Sequence, residues 1–242
     1  GLRQLLPVLR EQPPSIYACG GKSRAPSACV DRYCPGEDRW EALPSMHLPR
    51  RACAVAMVRG KLYVLGGVDI AQADADRNAR GQPERYDPAT NRWELLPPMI
   101  KPCTHAAAAA AGGLVYVFGG LSLGCVLDQA QCFDPARDVW ETLEPLPTRR
   151  FECAAVTARG HIYVVGGSNQ AGVPLAVVER YSPGADAWDQ APPMNQARYG
   201  CAAAALAGKV YVFGGRHPSG AIAEAEALDP TAGAWERLPR MP

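Results

Sequence analysis

Short hydrophobic segments bounded by glycine, proline and aspartate recur along this chain at nearly constant intervals. Five of the segments end in a Gly-Gly pair, whose first glycines are Gly20, Gly66, Gly119, Gly166 and Gly214. One tryptophan follows each pair, at Trp40, Trp93, Trp140, Trp188 and Trp235. Short apolar runs between turn residues are typical of β-strands, and a period near 50 residues indicates a repeated structural unit.

Two further features complete the repeat. A large side chain, followed two residues later by proline, lies between each pair and its tryptophan, at Tyr33, Tyr86, Phe133, Tyr181 and Leu228. Small residues and a glycine turn precede four of the pairs, as in Cys201-Ala-Ala-Ala-Ala205 before Gly208. Each unit therefore predicts four short strands. A lone four-stranded sheet leaves both faces uncovered, so we expect an all-β propeller whose blades bury the aromatic side chains between them.

The order Gly-Gly, tyrosine, Asp-Pro and tryptophan resembles the Kelch repeat. It is most similar to the Kelch-like (BTB-BACK-Kelch) subfamily of cullin ubiquitin-ligase substrate adaptors, as in the segment Glu84-Arg-Tyr-Asp-Pro-Ala-Thr-Asn-Arg-Trp93. The resemblance covers residues 15–242 and implies a Kelch-type β-propeller of four-stranded antiparallel blades. The five repeats lie near 15–46, 47–99, 100–147, 148–194 and 195–242.

The sequence predicts an incomplete ring. Residues 6–13, where the first unit needs its inner strand, contain no run of small residues. The resemblance implies six blades, so five repeats indicate part of a six-bladed propeller. Residues 1–14 are then a linker or the tail of a preceding domain. A complete five-bladed ring is the alternative.

Composition narrows the classes of partner and the compartment. The formal net charge is +1, which does not provide the basic surface expected of a nucleic-acid or membrane-surface binder. No apolar run reaches the length needed to span a bilayer. Nine cysteines are an odd number in a long chain, which favours free thiols over a secreted disulfide framework. We therefore expect a reducing location, in the cytoplasm or the nucleus.

No pattern in the sequence supports catalysis, a metal or another cofactor. The four histidines fall at four different repeat positions, so their spacing does not gather them into a ligand set. The stretch Asp74–Asn78 resembles the opening of a calcium loop, but Ala79 and Arg85 stand where that motif needs glycine and glutamate. Some Kelch-fold enzymes are copper oxidases, and their clustered tyrosines and histidines have no match here. We expect a protein that is not an enzyme.

The candidate binding residues lie on loops at one face of the ring. The resemblance implies that residues just before the inner strands and just after Gly-Gly face one mouth and receive peptide segments of a partner. We also expect the long loop of the second unit, Val68–Arg85, to contribute, since insertions in repeat proteins often mark the binding face. The residues are Arg51, Asp69, His105, Arg150, Phe151, Glu152, Ser168, Asn169, Arg198, Tyr199, Arg216 and His217.

The resemblance implies a protein–protein interaction domain, the substrate-recognition propeller of a cullin-RING ubiquitin ligase adaptor. The cullin would be contacted by a separate BTB domain, outside this chain. The alternative is a scaffold propeller, for example one that binds actin, with no role in ubiquitination. Some of the arginines could instead pair with carboxylates and join the blades.

Overall fold

The computed structural model describes residues 15–19, 28–68 and 81–241, which fold into five β-sheets stacked as blades. None of these residues lies in a helix long and apolar enough to cross a membrane. The first blade contains β1 (Ile16–Cys19), β2 (Val30–Cys34) and β3 (Arg39–Leu43). The second contains β4 (Ala54–Val58), β5 (Lys61–Leu65), β6 (Glu84–Asp87) and β7 (Arg92–Leu95).

The remaining three blades repeat the four-stranded plan, and two of them add a short hairpin. The third contains β8 (Ala107–Ala111), β9 (Leu114–Phe118), the hairpin β10 (Leu121–Ser122) and β11 (Cys125–Val126), β12 (Ala130–Asp134) and β13 (Val139–Thr142). The fourth contains β14 (Ala154–Ala158), β15 (His161–Val165), β16 (Val178–Ser182) and β17 (Ala187–Ala191). The fifth contains β18 (Ala202–Leu206), β19 (Lys209–Phe213), the hairpin β20 (Arg216–His217) and β21 (Gly220–Ala221), β22 (Ala225–Asp229) and β23 (Ala234–Arg237).

Every blade is an antiparallel meander, so the predicted all-β propeller of five Kelch repeats is confirmed. The inner strands β4, β8, β14 and β18 carry the small residues and contact one another around the axis. In each blade the large side chain of the third strand lies directly opposite the tryptophan of the outermost strand, as Tyr86 does with Trp93. This cross-strand pairing explains why the two residues keep a constant spacing along the sequence.

Hydrophobic clusters join each blade to the next one. Between the third and fourth blades, the rings of Tyr116 and Phe118 stack on each other. Tyr181 packs against Tyr116, and Trp188 packs edge to face against Phe118. The tryptophan also fastens the interface through its indole, because Trp188 Nε1 donates to the backbone oxygen of Glu144 in the preceding blade at 2.8 Å. Equivalent bonds join Trp93 to Pro44, Trp140 to Pro97 and Trp235 to Pro192.

The Gly-Gly pairs stand where the backbones of neighbouring blades come closest. A Cβ on Gly119 would collide with the backbone oxygen of Arg150 in the next blade, and Gly66 meets Cys103 in the same way. The second glycine donates its N–H across the same junction, since Gly120 N lies 2.8 Å from Arg150 O. Only glycine combines the positive φ of these positions with so close an approach.

A buried ion pair supports the Gly-Gly turn in three blades. Arg150 is fully buried, its Nη2 lies 2.8 Å from Glu179 Oε2, and its Nη1 donates to the oxygens of Gly166 and Val177. Arg50 with Glu84 and Arg198 with Glu226 repeat the arrangement. Each guanidinium therefore joins the segment that leads into the inner strand to the glycine turn and the third strand of its own blade.

The third blade replaces the ion pair with neutral groups. Cys103 occupies the arginine position, and Gln131 occupies the glutamate position. Gln129 Nε2 donates to Gly119 O at 3.0 Å, the contact that a guanidinium makes in the other blades, and Gln131 Nε2 donates to Gln129 Oε1 at 3.0 Å. The carbonyl of Gly119 therefore still accepts a hydrogen bond from a buried side chain, but that side chain is an uncharged amide.

The fifth and first blades do not share such an interface within the described part of the chain. No cluster of buried residues joins them. Trp40, whose equivalents bond to a preceding blade, is 59% exposed, and Leu206 on the fifth blade is 69% exposed. Residues 1–14, where we expect a linker and the sequence lacks an inner strand, lie outside the described residues, so the sixth blade stays a prediction.

We predict that Gly119→Ala destabilises the protein much more than Gly112→Ala. Both glycines have positive φ, which costs about 1 to 3 kcal/mol for alanine. Only the Cβ at 119 meets backbone, which adds about 1 to 3 kcal/mol of overpacking, because no atom lies within 4 Å of the Cβ position at 112. Urea unfolding of the two variants measures the difference, and equal midpoints would contradict the role assigned to Gly119.

We also predict that Glu179→Ala lowers the free energy of unfolding by about 3 to 5 kcal/mol, because Arg150 keeps a buried charge without its partner. The control is Asp189→Ala, which removes an exposed ion pair with Arg180 from the same blade. That change should cost less than about 1 kcal/mol. Urea unfolding again compares the two, and a Glu179→Ala effect as small as that of the control would refute a structural role for the pair.

Candidate functional site

The chain enters each inner strand through an isolated bridge to the residue after Gly-Gly. The bridged pairs are Arg51 with Val68, Thr104 with Leu121, Phe151 with Ser168, and Tyr199 with Arg216. The two groups of residues singled out in the sequence are therefore brought side by side. We call the bridged residues, together with Ala52, His105, Glu152 and Gly200 that follow them, the axial mouth.

A chain of backbone hydrogen bonds runs round the axial mouth from blade to blade. His105 N donates to Ala52 O at 2.9 Å, Glu152 N to His105 O at 2.8 Å, and Gly200 N to Glu152 O at 2.8 Å. All four residues have φ between 51° and 59°. A left-handed conformation in histidine and glutamate is strained and is held by the surrounding blades. Because main-chain atoms make these bonds, each blade can present a different side chain here.

The axial mouth encloses a polar cavity of about 330 Å³. Glu152 and His105 are neighbours in its wall, with 3.8 Å between Oε1 and Nε2, and Tyr199 and Arg216 add a phenol and a guanidinium. The ring of Phe151 meets the imidazole of His105 edge to face at 6.3 Å. The cavity thus combines aromatic surface with groups of both charges, which suits a peptide segment better than an apolar ligand.

Two guanidiniums of the axial mouth have no carboxylate partner among the described residues. Arg216 is exposed and Arg51 is half-buried, and neither forms an ion pair with an Asp or Glu of the described chain. Most other charged arginines of the blades are paired, as Arg180 is with Asp189 on the outer strands. An unpaired arginine beside Tyr199 is a typical anchor for a protein partner.

Two of the arginines expected to contact a partner are placed elsewhere. Arg150 and Arg198 have no exposed surface, and their charges are used by Glu179 and Glu226 beneath the axial mouth. Their assignment to partner binding is therefore corrected: a buried charge must be paired, and these pairs hold the Gly-Gly turns. The residues that follow them, Phe151 and Tyr199, are half-buried and keep part of their surface accessible.

Three other predicted residues shape the loops. Ser168 is buried and donates to Val173 O, while Asn169 Oδ1 accepts from Ala171 N and Val173 N at 3.0 Å. His217 Nδ1 lies 2.9 Å from the hydroxyl of Ser219. Asp69, the calcium-like stretch 74–78 and most of the long second-blade loop lie outside the described residues.

The sequence reasoning missed two apolar side chains on the loops beside the axial mouth. Leu123, at the tip of the β10–β11 hairpin, is 73% exposed, and Val173 in the fourth-blade loop is 52% exposed. The available signal was a leucine in the tight turn Ser-Leu-Gly-Cys, where a polar residue is usual.

The cysteines near the axis are suited to packing. Burial raises the pKa of Cys153 to about 11 and also raises the pKa of Cys53, so both remain protonated at neutral pH. Protonated thiols are poor nucleophiles and poor metal ligands. Across residues 15–19, 28–68 and 81–241, no three His, Cys, Asp or Glu side chains are grouped to hold a metal ion.

Models of known protein families match nearly all of this sequence. Residues 12–197 match the family model described as the KLHDC2/KLHL20/DRC7 Kelch-repeats domain, and residues 197–242 match the Kelch motif. The structure of YjhT superposes with a TM-score of 0.79 over 94% of this chain and 81% of that one, at 15% sequence identity, which supports the fold.

Curated relatives match part of the chain. Human Kelch repeat and BTB domain-containing protein 12 is 30% identical over 46% of this chain and 19% of its own length. An F-box/kelch-repeat protein of Arabidopsis thaliana is 38% identical over 33% of this chain and 18% of its own length. The matched segments thus span about a fifth of these relatives. Since the first family model alone matches most of the residues, this chain belongs to the Kelch-repeat family of β-propeller proteins.

Proposed function

We propose that the chain is a protein-interaction propeller that holds a segment of a partner protein in the axial mouth. The observation that carries the proposal is Arg216, which lies beside Tyr199 and lacks a carboxylate partner in the described chain, with Arg51 as a second such guanidinium of the mouth. Arginine and tyrosine dominate the binding energy of protein interfaces. Kelch propellers are typically interaction domains without catalytic activity, which agrees with this arrangement.

The charges of the axial mouth favour a partner segment that carries a carboxylate. Arg216 is free to form a bidentate bond with such a group, and Arg51 offers a second guanidinium at the position that Tyr199 occupies in the fifth blade. Glu152, next to His105, would repel a second carboxylate placed beside it. The partner segment therefore carries a carboxylate near Arg216 and no negative charge near Glu152.

We further propose that the bound segment belongs to a substrate of a cullin-type ubiquitin ligase, in the cytoplasm or the nucleus. The support is that Kelch repeats accompany a BTB domain in one relative and an F-box in another, as their names state. The nine cysteines are free, which suits a reducing compartment. A scaffold or actin-binding role would use the same mouth, so the identity of the partner separates the two.

We predict that Tyr199→Ala/Arg216→Ala removes partner capture without loss of stability. The test is affinity capture from cell lysate with the full-length protein, followed by quantitative mass spectrometry. The matched control is Arg137→Ala, because Arg137 is exposed in the turn between β12 and β13, at the far end of its blade. Partners that bind through the mouth should fall at least tenfold with the double variant and remain with the control.

Partners captured equally by all three proteins would reject the axial mouth as the binding site. For the ligase proposal, the abundance of a captured partner is measured after depletion of the full-length protein from cells. Its level should rise and should return to normal with the parent but not with the mouth variant. A partner whose level does not change would favour the scaffold role.

A further inference from the structure

The tip of the β10–β11 hairpin holds a leucine where the backbone favours another residue. Ser122 pairs with Cys125, so Leu123 and Gly124 form a two-residue turn, and their φ values are 51° and 77°. Two positive φ angles are the mark of a type I′ turn, which favours Asn-Gly. Leu123 is the largest apolar side chain among the described residues of positive φ, and it is 73% exposed. Neither the backbone conformation nor burial accounts for a leucine at this position.

The neighbouring blade holds this hairpin in position. Gln170 of the fourth-blade loop accepts from Val126 N at 2.7 Å through Oε1 and donates to Gly124 O at 3.2 Å through Nε2. One amide thereby holds the arm of the hairpin that directly follows Leu123. The loop of Gln170 is itself fixed by Asn169, whose side chain caps two of its backbone N–H groups. Leu123 therefore sits on a rigid support.

Val173 extends the apolar surface from the same fourth-blade loop. Its backbone is held by Asn169, and its side chain is 52% exposed. Both loops start at the axial mouth, since Leu121 is bridged to Thr104 and Ser168 to Phe151. The two apolar side chains thus lie on adjacent loops that rise from the rim of the mouth.

We infer that Leu123 and Val173 form an apolar shelf that selects which partner segments the axial mouth accepts, an inference that rests on the proposed function. The occupant is an extended peptide segment with a carboxylate for Arg216 or Arg51 and an apolar side chain for the shelf. The peptide needs a carboxylate because the mouth offers guanidiniums without a carboxylate partner. It needs an apolar side chain because the hairpin holds Leu123 exposed in a fixed position. An apolar side chain on a rigid turn loses little conformational entropy when a partner binds. This gain in binding explains why leucine stands at position 123, where the turn itself favours asparagine.

The test is selection of a displayed library of random twelve-residue peptides on the purified full chain. Peptides enriched on the parent should combine an acidic residue with a large apolar residue at a constant spacing. Their affinity, measured on synthetic copies, should fall at least tenfold with Leu123→Asn. The melting temperature of that variant should not fall, because asparagine suits the turn better than leucine.

Arg137→Ala is again the control, since Arg137 is exposed in the turn between β12 and β13, at the far end of the blade that carries Leu123. Peptides that bind Leu123→Asn as tightly as the parent, but lose affinity for Arg216→Ala, would overturn the shelf and leave the proposed function standing. A parent that enriches no peptides beyond those of the Tyr199→Ala/Arg216→Ala variant would overturn both.

Discussion

The close approach of main chains at each blade junction is the constraint on which the rest of the molecule depends. At Gly119 a single methyl group would occupy the place of a carbonyl oxygen in the next blade. That contact sets the distance between sheets, and the distance allows the indole of Trp188 to reach across to Glu144 and the aromatic rings to fill the space between. Buried charge is then tolerated next to the glycines, because each guanidinium finds backbone carbonyl acceptors and a carboxylate within its own blade.

Much of the architecture could be read from the sequence, because its determinants are local and repeated. Glycine pairs, the turn prolines and the tryptophans mark strand ends and blade interfaces in every unit, so five units in register fix the fold class. The buried ion pair also left a signal that the sequence reasoning did not use. Arginine and glutamate recur together in three repeats, and both are replaced in the third, by Cys103 and Gln131. Residues that change together in this way are structural partners.

The candidate site was harder to predict for a physical reason. Residues in the doublets Arg149-Arg150 and Arg50-Arg51 look alike in sequence, but Arg150 and Arg50 are buried, while Arg149 is exposed and Arg51 is half-buried. The exposed leucine was missed because its importance depends on the backbone angles of the turn, which composition does not reveal. Position along the repeat therefore located the mouth, while the direction of each side chain needed the structure.

The backbone hydrogen bonds that encircle the axis allow the architecture and the binding specificity to vary independently. The links from Ala52 to Gly200 use main-chain atoms alone, so they form whichever side chains stand at those places. Alanine, histidine, glutamate and glycine occupy one geometric position in turn. Such a frame allows recognition to diverge quickly while architecture stays constant, and it makes these positions the natural ones to randomise when a new specificity is wanted.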